Sequence, residues 1–130
     1  MGDKHRVLIV DDDPNMHQIS EMSLKRVKFQ DQRLDLLFAS SAKEAIAVMG
    51  SEENIALIVL DEVMESDKAG LEVCRAVRED LGNSRTRILL RTGKEPEGYD
   101  AYDVEGYLDK GEMTAQRLVE AVTNGLNAYQ

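Results

Sequence analysis

The sequence has a single cysteine, Cys74, so it can form neither an internal disulfide nor a cysteine-based metal cage. It is also short of positive charge, with 16 Lys and Arg against 25 Asp and Glu and a net charge of −9. Binding to a phosphate backbone needs a basic face, so no nucleic acid is expected as a partner of this domain. No apolar run approaches the roughly 20 residues of a membrane span, and no membrane association is expected. The start "MGDKHRVLIV" is too short and polar for a signal peptide, which makes the cytoplasm the expected compartment. Histidine is scarce as well: His5 and His17 have no histidine or cysteine partner nearby and read as surface residues.

What is present is an ordinary globular composition, 42% apolar over 130 residues. That is enough for one domain with a real core, taken as residues 1–130. Short apolar runs at Val7–Val10, Leu34–Ala39, Ile55–Leu60, Ile88–Leu90 and Gly106–Leu108 read as strands. The run "IALIVL" is apolar throughout, as expected of a parallel strand covered on both faces.

Amphipathic segments lie between the runs. Asp13-Pro14 predicts the start of a first helix, with Asp at the N-cap and Pro at the first helical position. Met16, Ile19 and Val27 are expected on its inner face. Ser41-Ala42-Lys43-Glu44 has the pattern of a capping box. Leu71, Cys74, Val77 and Leu81 mark a third helix that ends near Gly82-Asn83, with Cys74 as a small core residue. A last helix carries Leu118, Val119, Val122, Leu126 and Tyr129. Between them, "GKEPEGYDAYD" has a Pro, two glycines and no aliphatic residue larger than alanine, so any fourth helix there should be weak, with few packing contacts. Its Tyr99 and Tyr102 suit either a partner face or a cover for that weak helix. Strand–helix alternation of this kind predicts a doubly wound α/β domain with a five-stranded parallel sheet. Its site should lie beyond the carboxyl ends of the strands.

That rule sorts the polar residues. Asp11 and Asp12 follow the first strand, Asp61 the third, Arg91-Thr92 end the fourth, and Lys110 follows the fifth. Three carboxylates in one crevice repel unless a cation sits among them, and oxygen donors suit Mg²⁺. A carboxylate beside Mg²⁺ and a lysine can accept a phosphoryl group, because that transfer depends mainly on positioning and charge neutralisation. Asp13 reads as the helix cap rather than a ligand.

"VLIVDDDP", "LIVLDEVME", "LLRTG" and "GYLDKG" resemble, in order and spacing, the motifs of response-regulator receiver domains of two-component signalling, over essentially the whole chain. The resemblance implies a flavodoxin-like, CheY-like (βα)5 fold with strand order 2-1-3-4-5. It implies that Asp61 is the phosphoacceptor and that Asp11, Asp12, Asp61 and the backbone carbonyl of Val63 hold Mg²⁺. Thr92, Lys110 and Tyr107 are similar to the family's switch hydroxyl, phosphoryl-binding lysine and rotameric aromatic. Gly93, Val63 and Lys94 fall where the family controls access and phosphoryl lifetime. The implied partners are a sensor histidine kinase or phosphotransfer protein, with a possible homodimer through the fourth-helix to fifth-helix face. The chain departs from the pattern at Met64-Glu65 and Gly111, where proline is usual, and in a longer Asp61–Gly70 loop.

"MESDKAGLEVCRAVREDLGN" also resembles receivers at the front of larger regulators, some with an HD-GYP type cyclic-di-GMP phosphodiesterase output. The domain is therefore expected to be the N-terminal part of a longer regulator, not itself an enzyme. Two alternatives compete. A small phosphatase could use the Asp-x-Asp of Asp11 to Asp13, but no late acidic metal motif accompanies it. A receiver-like module that no longer takes phosphate would be expected to have lost the acceptor or the acidic pair, and both are present.

Overall fold

The computed structural model describes residues 5–62, 64, 68–93, 98–112 and 114–129. Val63, Lys94 and Pro96 lie outside the described residues. In chain order the elements are β1 (His5–Val10), α1 (Pro14–Leu24), β2 (Lys28–Phe29), β3 (Gln32–Ala39), α2 (Ala42–Ser51) and β4 (Ile55–Asp61). They continue with α3 (Ala69–Arg75), β5 (Arg87–Thr92), β6 (Gly106–Asp109) and α4 (Ala115–Ala128).

The sheet order is β2-β3-β1-β4-β5-β6. All pairings are parallel except the short β2–β3 hairpin. Without β2 the order is the expected 2-1-3-4-5. The extra strand is two residues long and turns through Gln30 and Asp31, both at positive φ. Such a turn is usually signalled by Asn-Gly or Asp-Gly, so its sequence hid it.

Strand alternation builds two cores. Leu8, Val10, Ile58, Leu60, Ile88 and Leu90 face α2 and α3. Val7, Ile9, Leu57, Val59 and Leu89 face α1 and α4. Every residue of β4 is buried, as "IALIVL" predicted. Gly125 lets α4 approach closely, since a Cβ there would lie 2.8 Å from Leu57 Cδ1.

The caps follow the sequence. Asp13 Oδ1 accepts from the Asn15 amide at 2.9 Å, and Ser41 Oγ accepts from the Glu44 amide at 3.1 Å. Past α3 the chain widens into a π-helical turn, Ala76–Asp80, and stops at Gly82, whose φ is +62°. Cys74 is fully buried, and burial pushes its thiol up to about 12.

Three expectations are corrected. The inner face of α1 is set by Ser20 and Leu24, whereas Ile19 is 48% exposed. His17 is half-buried against Phe38, with ring centroids 5.3 Å apart. The weak fourth helix of the (βα)5 pattern is, among the described residues, one 3₁₀ turn at Asp100–Tyr102. That turn is not short of contacts. Tyr99 is buried in the core, Tyr102 and Val104 pack against it, and Arg78 donates to the carbonyls of Tyr102, Asn83 and Asp103. The aromatic and guanidinium groups supply the packing that aliphatic residues do not.

Candidate functional site

Register brings the predicted residues to one rim. Val10 pairs with Leu60, Leu60 with Leu90, and Thr92 with Asp109, so the strands end side by side. The Asp11 amide extends the ladder by donating to the Ala39 carbonyl, and the Glu62 amide donates to the Arg91 carbonyl, both at 3.0 Å. Asp11, Asp61 and Thr92 are all buried, and Asp12 is exposed at the mouth.

One carboxylate oxygen from each of Asp11, Asp12 and Asp61 lies within 4.8 Å of the others. Burial pushes the Asp11 carboxyl above its ordinary range; Asp61 and Asp12 push the same way, against the Asp13 amide and Arg91. Such a cluster calls for cations, and the described residues supply two. Lys110 Nζ lies 2.6 Å from Asp61 Oδ1, and the Arg91 guanidinium pairs with Asp11 Oδ2. An all-oxygen donor set with one open side fits a hard divalent cation.

The other face of β5 holds a different arrangement. Thr92 Oγ1 donates to Glu62 Oε1 at 2.8 Å, and both groups are buried. The Glu62 carbonyl accepts from the Gly70 amide at 3.1 Å. A Cβ on Gly70 would sit 2.5 Å from Tyr99 Oη and 3.1 Å from Glu62 Cα, so only glycine allows this approach. The Tyr99 hydroxyl is buried without a hydrogen-bond partner among the described residues. Burial, and then Glu62, push its phenol upward. Tyr107 points outward, 49% exposed, and Gly93 is exposed beside Thr92.

Thus Asp11, Asp12, Asp61 and Lys110 come together, while Thr92 lies on the other face of β5 and Tyr107 is exposed. Arg91 and Glu62 were missed as site residues. The signals were an arginine inside the apolar run "RILLRT" and an acid directly after Asp61.

Comparison with known proteins agrees with this geometry. The family model described as response regulator receiver domain matches residues 7–123. The 3'3'-cGAMP-specific phosphodiesterase 2 of Vibrio cholerae is 40% identical over 129 residues, covering 95% of this chain and 25% of that protein. The transcriptional regulatory protein ResD of Bacillus subtilis is 34% identical over 102 residues, covering 78% of this chain and 37% of that protein. The chain therefore spans a quarter to about a third of these relatives. Among solved structures, the signal receiver domain of an HD domain-containing protein from Pseudomonas fluorescens superposes with a TM-score of 0.81, at 19% identity and 98% coverage of both chains. The chemotaxis regulator CheY4 of Vibrio cholerae gives 0.77, at 24% identity, covering 95% of this chain and 100% of that one.

Proposed function

Because the chain belongs to the response-regulator receiver family, we propose that Asp61 is the carboxylate that takes the phosphoryl group. The domain is a phosphoacceptor switch of two-component signalling, and the observation carrying the residue assignment is the Asp61–Lys110 pair set among the acids. An Asp61 oxygen attacks the phosphorus of a phosphohistidine, the P–N bond breaks, and the imidazole leaves with the electron pair. Lys110, already beside Asp61, is placed to hold a phosphoryl oxygen once the acyl phosphate forms. Thr92 is the hydroxyl that turns to a second oxygen, and Tyr107 the aromatic that follows it inward. Asp11, Asp12, Asp61 and the Val63 carbonyl would hold Mg²⁺, which when bound neutralises charge on the transferring group. Exposed Gly93 leaves the acceptor open to a donor, while Val63 and Lys94 govern attack by water.

The donor is a histidine kinase or phosphotransfer protein in the cytoplasm. This domain is read as the N-terminal receiver of a longer regulator, with a phosphodiesterase output supported by the likeness to the Vibrio cholerae phosphodiesterase. The rim formed by the Asp100–Tyr102 turn, β6 and α4 is the surface for an output or a second receiver. Intact mass measured after treatment with acetyl phosphate and Mg²⁺ tests the assignment. Wild type should gain one phosphoryl group and Asp61→Asn none; equal labelling of both would overturn it.

A further inference from the structure

Arg91 is an unexpected residue on β5. Its strand neighbours Leu89 and Leu90 are buried, and its own side chain is only 12% exposed. It continues the Leu89 face, toward α1 and α4, and lines a cavity of about 150 Å³ with Met16, Ile19, Lys110 and Leu118. From there the guanidinium reaches Asp11, while its Nε is buried with no partner among the described residues. Burying an arginine with an unmet donor is costly unless its charge is needed where it lies.

Both oxygens of Asp11 are engaged. Oδ1 accepts from the Asp13 amide at 2.9 Å, and Oδ2 is held by Arg91. The first bond belongs to the backbone that starts α1 and cannot leave without disturbing the helix. The second belongs to a long side chain beside a cavity that can receive it. Among the described residues, three carboxylates against Arg91 and Lys110 leave one net negative charge, so a divalent ion added to both cations would make this set net positive.

Resting on the metal-site reading above, we propose that Arg91 is a resident counter-cation of the acid cluster, holding Asp11 in the metal-free protein and giving it up when Mg²⁺ enters. It is a positioning residue that sets the metal affinity of the site by competition. Arg91→Met keeps the stem and removes the charge, and Arg91→Gln serves if the first variant folds poorly. Arg91→Lys keeps a cation in place.

Isothermal titration of Mg²⁺ into the full chain, after metal removal, is the test. Loss of a competing ligand should tighten binding on the order of five- to tenfold in Arg91→Met or Arg91→Gln. Arg91→Lys should stay near wild type. In wild type the Arg91 Nε–H resonance should shift during the titration with the midpoint seen by calorimetry. Unchanged or weaker binding in the charge-removing variants, or an unmoved Arg91 resonance during saturable binding, would overturn the proposal. Absence of Mg²⁺ binding in wild type and every variant would instead overturn the metal-site reading, and the proposal with it.

Discussion

Arg91 and Thr92 are neighbours on one strand, yet they serve two sides of the rim that are built differently. On the α1 and α4 side, Arg91 and Lys110 form ion pairs with Asp11 and Asp61. On the α2 and α3 side, Thr92 donates a hydrogen bond to Glu62, beside a tyrosine hydroxyl with no hydrogen-bond partner among the described residues. The first side manages surplus charge and is suited to exchanging cations. The second holds a neutral hydroxyl on a carboxylate and is suited to letting it go. Strand alternation is what separates the two tasks, because consecutive residues point to opposite faces.

Metal should separate the two sides of the rim most strongly. Mg²⁺ at about 100 times its dissociation constant should stabilise the folded chain by about 2.7 kcal/mol, read as a higher Tm. Asp12→Ala should lose most of that gain. Thr92→Val should keep it, because Thr92 lies on the other side. A Thr92→Val variant as insensitive to Mg²⁺ as Asp12→Ala would erase the distinction.

On the switch side, Gly70→Ala should cost roughly 1–3 kcal/mol in chemical denaturation, as overpacking does. Tyr99→Phe in the same chain should restore part of it by removing the nearer clashing atom. Full restoration would show that the Glu62 backbone contact is slack, and none would show that Tyr99 is not the obstacle.

A smaller effect measures the latch itself. Glu62→Ala and Thr92→Val should each destabilise the protein, and the double variant by less than the sum, with a coupling of about 1 kcal/mol. Additive costs would mean that the two groups do not interact. Smallest of all, Tyr99→Phe alone should be neutral or stabilising by up to about 1 kcal/mol, since it removes a buried hydroxyl that has no partner among the described residues. A clear loss of stability would mean that this hydroxyl is bonded.

The acids and Lys110 were legible because each follows an apolar run, and a doubly wound fold gathers strand ends at one edge. Arg91 and Glu62 were not, because periodicity gives a residue's face but not the partner it meets there. The α1 face was misjudged for a related reason. Ser20 is buried at 1% exposure while Ile19 beside it is open, so tertiary packing overrode the polarity pattern. The lack of aliphatics in Gly93–Asp103 suggests poor packing, but over its described residues 98–103 Tyr99 fills the core and Arg78 binds the carbonyls of Tyr102 and Asp103. Whether a guanidinium finds carbonyls to hold depends on contacts remote in sequence.

The proposed switch requires that charge added at Asp61 draw Thr92 off Glu62. NMR of the Thr92 methyl group, with beryllofluoride and Mg²⁺ as a phosphoryl analogue, tests it most directly. The Thr92 resonance should move on binding, and Glu62→Ala should already shift it toward the bound position without the analogue. A Thr92 resonance that stays in place while Lys110 and Asp61 report the analogue bound would contradict it.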